Sequence, residues 1–449
     1  MSARSPGPTD GAPEGGDEAE TSAGTAPAAH DLILVSDLHM ASARDPATGR
    51  PARTEDFARD GAFARFLRAR AAAQAERGRP WRLVILGDLF DFARVELGRP
   101  GEDRRRLDTS TGAALAKLDL IAAGHPEVLE ALRDLLSAGV GIDVVPGNHD
   151  LELARPAVQR RLRNLLEDAG PEGGGRIEFH PWILHLPGVL YAEHGHQHHD
   201  INAAPQLVGT PEVPDADALE APLGSQLGEY ISRVLEVAEP DAERLDPDLA
   251  RLAAALRARP GAAIATWRAH LAFAHALARH ALRVRRAGFK ARRAVSAEGR
   301  QRRAPVGASG LAPASIEGLD RLAATTLAGT ARRLFCMAVA SRAPARARPA
   351  GPPPSNYLPL AVAAVDRVLR EHGDHVPFYV FGHTHAAERS SLGASPTDAT
   401  YLNTGTWSEL VRGDAARQTF VEIEVEPTAG PAATLLTWDE TRGQATPVG

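Results

Sequence analysis

Five short clusters combine carboxylate, amide and imidazole side chains: Asp37-x-His39, Gly87-Asp88-x-x-Asp91, Gly147-Asn148-His149-Asp150, His194-Gly195-His196 and Gly382-His383-x-His385. Carboxylate oxygen, amide oxygen and imidazole nitrogen together suit borderline divalent metals such as Mn, Fe and Zn. A single cysteine, Cys336, excludes a cysteine-built structural zinc site. Alternate residues of an extended segment share a face. Asp37 with His39, and His383 with His385, can therefore each reach one centre. A two-metal site holds its cations ~3.5–4 Å apart and needs a carboxylate common to both. Asp88, in a tight glycine turn, suits that bridge, and Gly87 and Gly147 let the backbone turn sharply beside the ions. A lone D-x-H, H-x-H or G-D-x-x-D is a weak signal, and G-N-H-D after a strand is a moderately specific one. All five, in this order, read as a metal site.

Each cluster ends an apolar run. The runs are Leu32 to Val35, Leu83 to Leu86, Ile142 to Val145, Val189 to Glu193 and Phe378 to Phe381. Short apolar runs of this kind read as buried strands. Between them the spacing predicts a helix over Ala62 to Glu76, burying Phe63, Phe66 and Leu67. A second is predicted over Pro126 to Ala138, with Val128, Leu129, Leu132, Leu135 and Leu136 on one face. Strands alternating with helices indicate an α/β sheet. Its carboxyl edge, where the clusters fall, is where ligands bind in open α/β sheets. After Arg176 shorter strand-like pieces follow, including Thr400 to Asn403 and the alternating Phe420 to Val425. Periodicity alone thus gives α/β with some antiparallel strands.

Read together, SDLH, GDLFD, GNHD, HGH and GHTH resemble the motifs of the calcineurin-like metallophosphoesterase superfamily. The likeness covers about residues 31–200 and 357–425. The DLH, GDLFD and HGH forms are similar to the bacterial branch containing UDP-2,3-diacylglucosamine hydrolases. The resemblance implies an α/β four-layer fold, a β-sandwich flanked by helices, with a dinuclear centre at the sheet edge. It implies that Asp37, His39 and His385 bind the first metal, that Asp88 bridges, and that Asn148, His194 and His383 complete the second. It also implies that His149 contacts phosphate and protonates the leaving group, with Asp150 orienting it and Asp91 standing behind the ligands. His196 is the alternative to His194, while His198 and His199 read as solvated loop residues, one of which could touch substrate. Asn403-Thr404-Gly405-Thr406-Trp407 resembles the turn common after the last ligand strand.

The expected activity is hydrolysis of phosphoric esters. Two divalent cations, Mn first and Fe or Zn next, would lower the pKa of a bound water toward ~7, and the resulting hydroxide would attack phosphorus. A nucleotide-lipid pyrophosphatase, a phosphodiesterase and a phosphoprotein phosphatase differ only in substrate. A non-catalytic metal-binding scaffold is the reading from another class, but such proteins typically lose ligands and every ligand type is present here.

The chain has 449 residues, 43% hydrophobic and 24% charged, which is globular composition with material for a sizeable core. A net charge of −6 argues against a protein that generally coats nucleic acid. One cysteine fits a reducing compartment, and residues 1–29 lack the features of a secretory signal. The expectation is a cytoplasmic chain, with peripheral membrane contact left open. Residues 1–29 read as a disordered acidic tail, 30–200 and 357–449 as two parts of one core, and 201–356 as a large helical insertion serving as a cap. Residues 251–350 carry 20 Lys+Arg against 3 Asp+Glu. The stretch Thr266 to Arg303 reads either as a packing helix with an arginine face or as a surface for anionic lipid or phosphorylated substrate. No aromatic stacking platform for nucleic acid accompanies it. Of 51 basic residues only Lys117 and Lys290 are lysine, so an arginine here carries little information by itself.

Overall fold

A computed structural model describes residues 30–44, 52, 55–97, 108–167, 176–198, 202–203, 222, 225, 358–371, 373–393, 399–409, 418–426 and 428–448. The tail at 1–29, Cys336, the stretch Thr266 to Arg303 and nearly all of the insertion at 201–356 lie outside these residues.

The described strands form two mixed sheets. The first orders β12-β11-β10-β1-β2-β3-β4 and the second β5-β6-β7-β9-β8. In the first, β1 (Asp31–Val35), β2 (Trp81–Leu86), β3 (Gly141–Val145) and β4 (Ile177–Phe179) run parallel. On its other side β10 (Thr419–Glu426), β11 (Gly430–Asp439) and β12 (Gln444–Pro447) are antiparallel. In the second, β6 (Leu190–Glu193), β7 (Phe378–Phe381) and β9 (Thr400–Asn403) are parallel. The hairpin partner β5 (Ile183–Leu186) and the edge strand β8 (Glu388–Ser391) pair antiparallel.

Period-two alternation along β1 explains the layering. Ile33 and Val35 face the helices α1 (Asp60–Arg77), α2 (Thr111–Gly124), α3 (Pro126–Ser137) and α4 (Pro156–Leu165), where Phe63, Phe66, Leu118, Leu132 and Leu162 are buried. Leu32 and Leu34 face the other way and pack with Leu190, Phe378, Val380 and Leu402 of the second sheet. The outer face of that sheet, through Tyr191, Tyr379 and Tyr401, packs on Leu358 and Val362 of α5 (Leu358–Glu371). Among the described residues, helices, sheet, sheet and helix thus stack in four layers around three apolar cores. Each fully buried Leu, Ile or Phe in them stabilises the fold by about 1.5–3 kcal/mol.

The first expected helix, Ala62 to Glu76, lengthens to Asp60–Arg77, and the second, Pro126 to Ala138, ends one residue earlier at Ser137. α1 stops where Gly78 turns left-handed at φ 64°, and α3 starts on Pro126, whose missing N–H costs nothing at a first helical position. No helix among the described residues is long and apolar enough to cross a membrane.

Candidate metal centre

Every nominated side chain follows the carboxyl end of a parallel strand, and both sheets contribute. Asp37 and His39 follow β1, Asp88 and Asp91 follow β2, and Asn148, His149 and Asp150 follow β3. His194 follows β6, while His383 and His385 follow β7. The pairs do not converge through extended backbone, as the alternate spacing predicted. Asp37, His39, Asp88, His383 and His385 are left-handed, with φ of 55°, 56°, 51°, 70° and 58°. Such conformations cost about 1–3 kcal/mol each, so five of them on nominated residues mark concentrated strain that the surroundings must hold. Three donors do so at Asp37, whose carbonyl receives Thr406 Oγ1 (2.8 Å) and the N–H groups of Trp407 and Ser408 (3.2 Å each). Close approach requires glycine at several of these turns. A Cβ at Gly147 would stand 2.6 Å from the Asp88 nitrogen, and one at Gly382 would stand 2.6 Å from Asp37 Oδ2.

Two clusters result. In the first, Asp37 Oδ1 lies 3.2 Å from His385 Nε2 and 3.7 Å from His39 Nε2, and the two Nε2 atoms are 3.0 Å apart. The other carboxylate oxygen, Oδ2, is taken by the Ser36 hydroxyl and the His383 N–H. In the second, Asp88 Oδ2 lies 3.0 Å from His194 Nε2, with the His383 ring 5.1 Å from that of His194. The same Oδ2 is 3.6 Å from His39 Nε2, so Asp88 stands between the clusters, while its Oδ1 accepts the His149 N–H. His194 Nδ1 donates to Leu86 O at 2.9 Å. That bond fixes the ring's orientation and turns Nε2 toward Asp88. His383 and His385 therefore serve different clusters despite their alternate spacing.

The buried atoms fit a cation. Asp37 Oδ1, Asn148 Oδ1 and His194 Nε2 have no hydrogen-bond partner among the described residues. Leaving such an atom unpaired costs about 1–3 kcal/mol, which a cation in the cage would relieve. Asp37, His39 and His385, and likewise Asp88, His194 and His383, each offer three ligand atoms within 4.8 Å of one another. The electrostatics agree. Burial opposes the charges on Asp37 and Asp88, but the surrounding histidines outweigh it and hold both carboxyls well below their ordinary range. Burial also opposes protonation of His194, yet Asp88 and Asp37 raise it to about 9. The cage favours positive charge, whether proton or divalent cation.

Two expectations need correction. Asp150 does not orient His149. Its carboxylate turns inward and accepts the N–H groups of Gly147 (2.6 Å), Leu89 (2.9 Å) and Phe90 (3.4 Å), tying the β2 and β3 turns together. Burial and the neighbouring Asp88 push its carboxyl up to about 7. The partner of His149 is Asp91, whose Oδ2 lies 2.8 Å from His149 Nδ1 and 3.5 Å from His39 Nδ1. His198 is not solvated, because its Nε2 sits 2.7 Å from Oε1 of the buried Glu193. His199 lies outside the described residues.

Of the two histidines in HGH, His194 belongs to the Asp88 cluster. His196 is also buried, at 2% exposure, with its ring 5.5 Å from that of His194. Burial and the His194 charge push its pKa down to about 3. The Asn403 to Trp407 segment is a turn, as expected. Asn403 Nδ2 donates to Gly382 O, its Oδ1 accepts the Gly405 N–H, and Trp407 Nε1 donates to Thr419 O. Sequence reasoning missed Ser36 and Asn202, which touch Asp37 and His383 respectively. A scan of protein-family models and a search of curated proteins each return no match for the chain.

Proposed function

We propose that this chain is a dinuclear metal-dependent hydrolase of phosphoric esters, of the calcineurin-like metallophosphoesterase type that its motifs resemble. The observation that carries the reading is the Asp88 carboxylate standing between two Asp/His clusters in which the buried Asp37 Oδ1 and His194 Nε2 make no hydrogen bond among the described residues. The layer order, with two sheets between helices, supports it. Asp37, His39 and His385 would hold one cation, and Asn148, His194 and His383 the other, with Asp88 common to both and Mn the first choice of metal. Bound cations supply Lewis acidity toward phosphoryl oxygens and acidify water near neutral pH.

The remaining work falls to His149. Its side chain is 29% exposed, so it can meet a substrate. Its Nδ1 faces Asp91, which leaves Nε2 on the far side of the ring as the atom that binds phosphate and hands a proton to the leaving alcohol. Asp91 favours the protonated ring. Burial opposes that charge, but Asp91 and Asp88 outweigh it and raise the His149 pKa.

The test is hydrolysis of aryl phosphate monoesters and diesters by Mn-loaded protein, before and after chelation. Turnover is expected, lost on chelation and restored by Mn. His149→Ala should keep the cations and lose about a hundredfold or more in turnover, most with poor leaving groups. Cation-loaded protein that cleaves no phosphoric ester would sink the reading. Full activity of the variant on poor leaving groups would remove His149 from the chemistry.

A further inference from the structure

The two cation positions are built unequally. At the first, Asp37 is anchored before any cation arrives. Ser36 Oγ contacts Asp37 Oδ2 and lies 2.5 Å from Thr404 Oγ1, which itself donates to Phe381 O at 3.2 Å. The His383 N–H adds a second donor to Oδ2 at 3.0 Å, and the Asp37 carbonyl is held by the three donors already described. The carboxylate cannot swing, so Oδ1 stays between His39 and His385.

The second position is different. His383 Nε2 lies 3.2 Å from Nδ2 of Asn202. An amide NH₂ can only donate, so the ring nitrogen accepts and its lone pair is engaged. Asn202 follows His194 by eight residues in the chain. A cation that uses His383 Nε2 must first displace that amide.

We propose that Asn202 is a positioning residue that sets the order of metal loading. The Asp37 position fills first, and the Asp88–His194–His383 position fills only as the Asn202 amide leaves His383. This rests on the dinuclear reading above, with Nε2 as the donor atom of His383.

The experiment is calorimetric titration of Mn²⁺ into the metal-stripped full-length chain, followed in parallel by electron paramagnetic resonance. The unaltered chain should bind two ions in separate steps, the first tighter. At one equivalent the spectrum should be that of isolated Mn²⁺, and the coupled-pair signal should appear only as the second equivalent binds. Asn202→Ala should tighten the second step about fivefold, leave the first unchanged, and bring the pair signal in at lower total Mn²⁺. Ser36→Ala should do the reverse, weakening the first step about 10–100-fold. Thr404→Val serves in its place should Ser36→Ala fail to fold. Two bound ions with the second step unchanged in Asn202→Ala overturn the proposal and leave the dinuclear reading standing. A second step weakened in that variant also overturns it, because Asn202 would then be a ligand. No bound ion at all overturns the dinuclear reading itself.

Discussion

Two groups of acidic and histidine side chains in this protein have similar composition and opposite states. Asp143, Glu178 and His180, on β3, β4 and just after, bring ligand atoms as close together as the clusters at Asp37 and Asp88 do. Yet Arg82 lies across them. Its Nε is 2.6 Å from Asp143 Oδ2, its Nη2 is 3.1 Å from Oδ1, and His180 Nε2 is 2.8 Å from the same Oδ1. Burial opposes the charge on Asp143, but His180 and Arg82 outweigh it and lower its pKa. The guanidinium already supplies the positive charge, in a bidentate fork whose geometry matches a carboxylate. Among the described residues no arginine or lysine pairs with Asp37 or Asp88, whose neighbours are histidines. What separates the candidate metal cage from the ion-pair cluster here is whether a guanidinium already engages the carboxylate lone pairs, rather than the residue types.

The widest break in that comparison comes from removing one carboxylate of each kind. On the proposed reading, Asp88→Ala should lose bound divalent cation, and ester hydrolysis should fall at least about a thousandfold. Asp143→Ala should keep its cations and activity and lose only stability, roughly 2–4 kcal/mol, because Arg82 keeps Glu178 alone. Elemental analysis after dialysis and urea unfolding read both. Metal lost from Asp143→Ala, or kept by Asp88→Ala, would reverse the assignment of the two clusters.

Five of the parallel strands and their polar ends were legible because each of those is an apolar run that stops at a cluster. β1, β2, β3, β6 and β7 match their expected spans to within two residues. Other elements left weaker traces. β8 reads ERSS and α4 buries only Val158 and Leu162, so neither shows an apolar pattern strong enough to read. α2 is alanine-rich on all sides, which blurs its helical stripe. The site residues were legible by type, but their pairing was not. Asp91 and Asp150 are both carboxylates after a strand, and only the turn geometry sends one to His149 and the other to three backbone N–H groups. Left-handed backbone at Asp37, His39, His383 and His385 also has no sequence signature, since none of them is glycine.

His125 sharpens the comparison, because it is a buried histidine with both ring nitrogens already partnered. Its Nδ1 is 2.8 Å from Asp60 Oδ1, and its Nε2 is 3.1 Å from Ala41 O and 3.2 Å from Glu55 Oε2. Glu55 in turn accepts the N–H groups of Ala43 (2.7 Å) and Phe57 (2.9 Å), so the ring staples the chain beyond His39 to the start of α3. Burial opposes the charge, but Asp60 and Glu55 outweigh it and raise the pKa from 6.5 to about 9. A raised folded-state pKa stabilises fully below the unfolded value. That stabilisation, roughly 3 kcal/mol here, is lost as pH climbs from about 6.5 through 9. Urea unfolding at pH 6 and pH 10 should show the unaltered chain losing about that much more stability than His125→Gln. Equal losses would mean the ring is neutral in the folded protein.

The smallest effect tests the comparison from the other side. Arg82→Met removes the guanidinium and keeps much of its length along β2. Asp143 then retains only His180, and stability should fall by roughly 1–2 kcal/mol, since Arg82 is partly exposed and its pair with Glu178 is at the surface. If unpaired lone pairs are what make a cage, the freed Asp143, Glu178 and His180 should now take up one weakly bound Zn²⁺ that the unaltered chain does not. Titration with Zn²⁺ after the centre at Asp88 is saturated would read that extra equivalent. Failure to gain it would show that free lone pairs are not sufficient. The left-handed turns at Asp37, His39 and Asp88, which β3 and β4 lack, would then be the second requirement, because they aim the donors as well as leaving them unpaired.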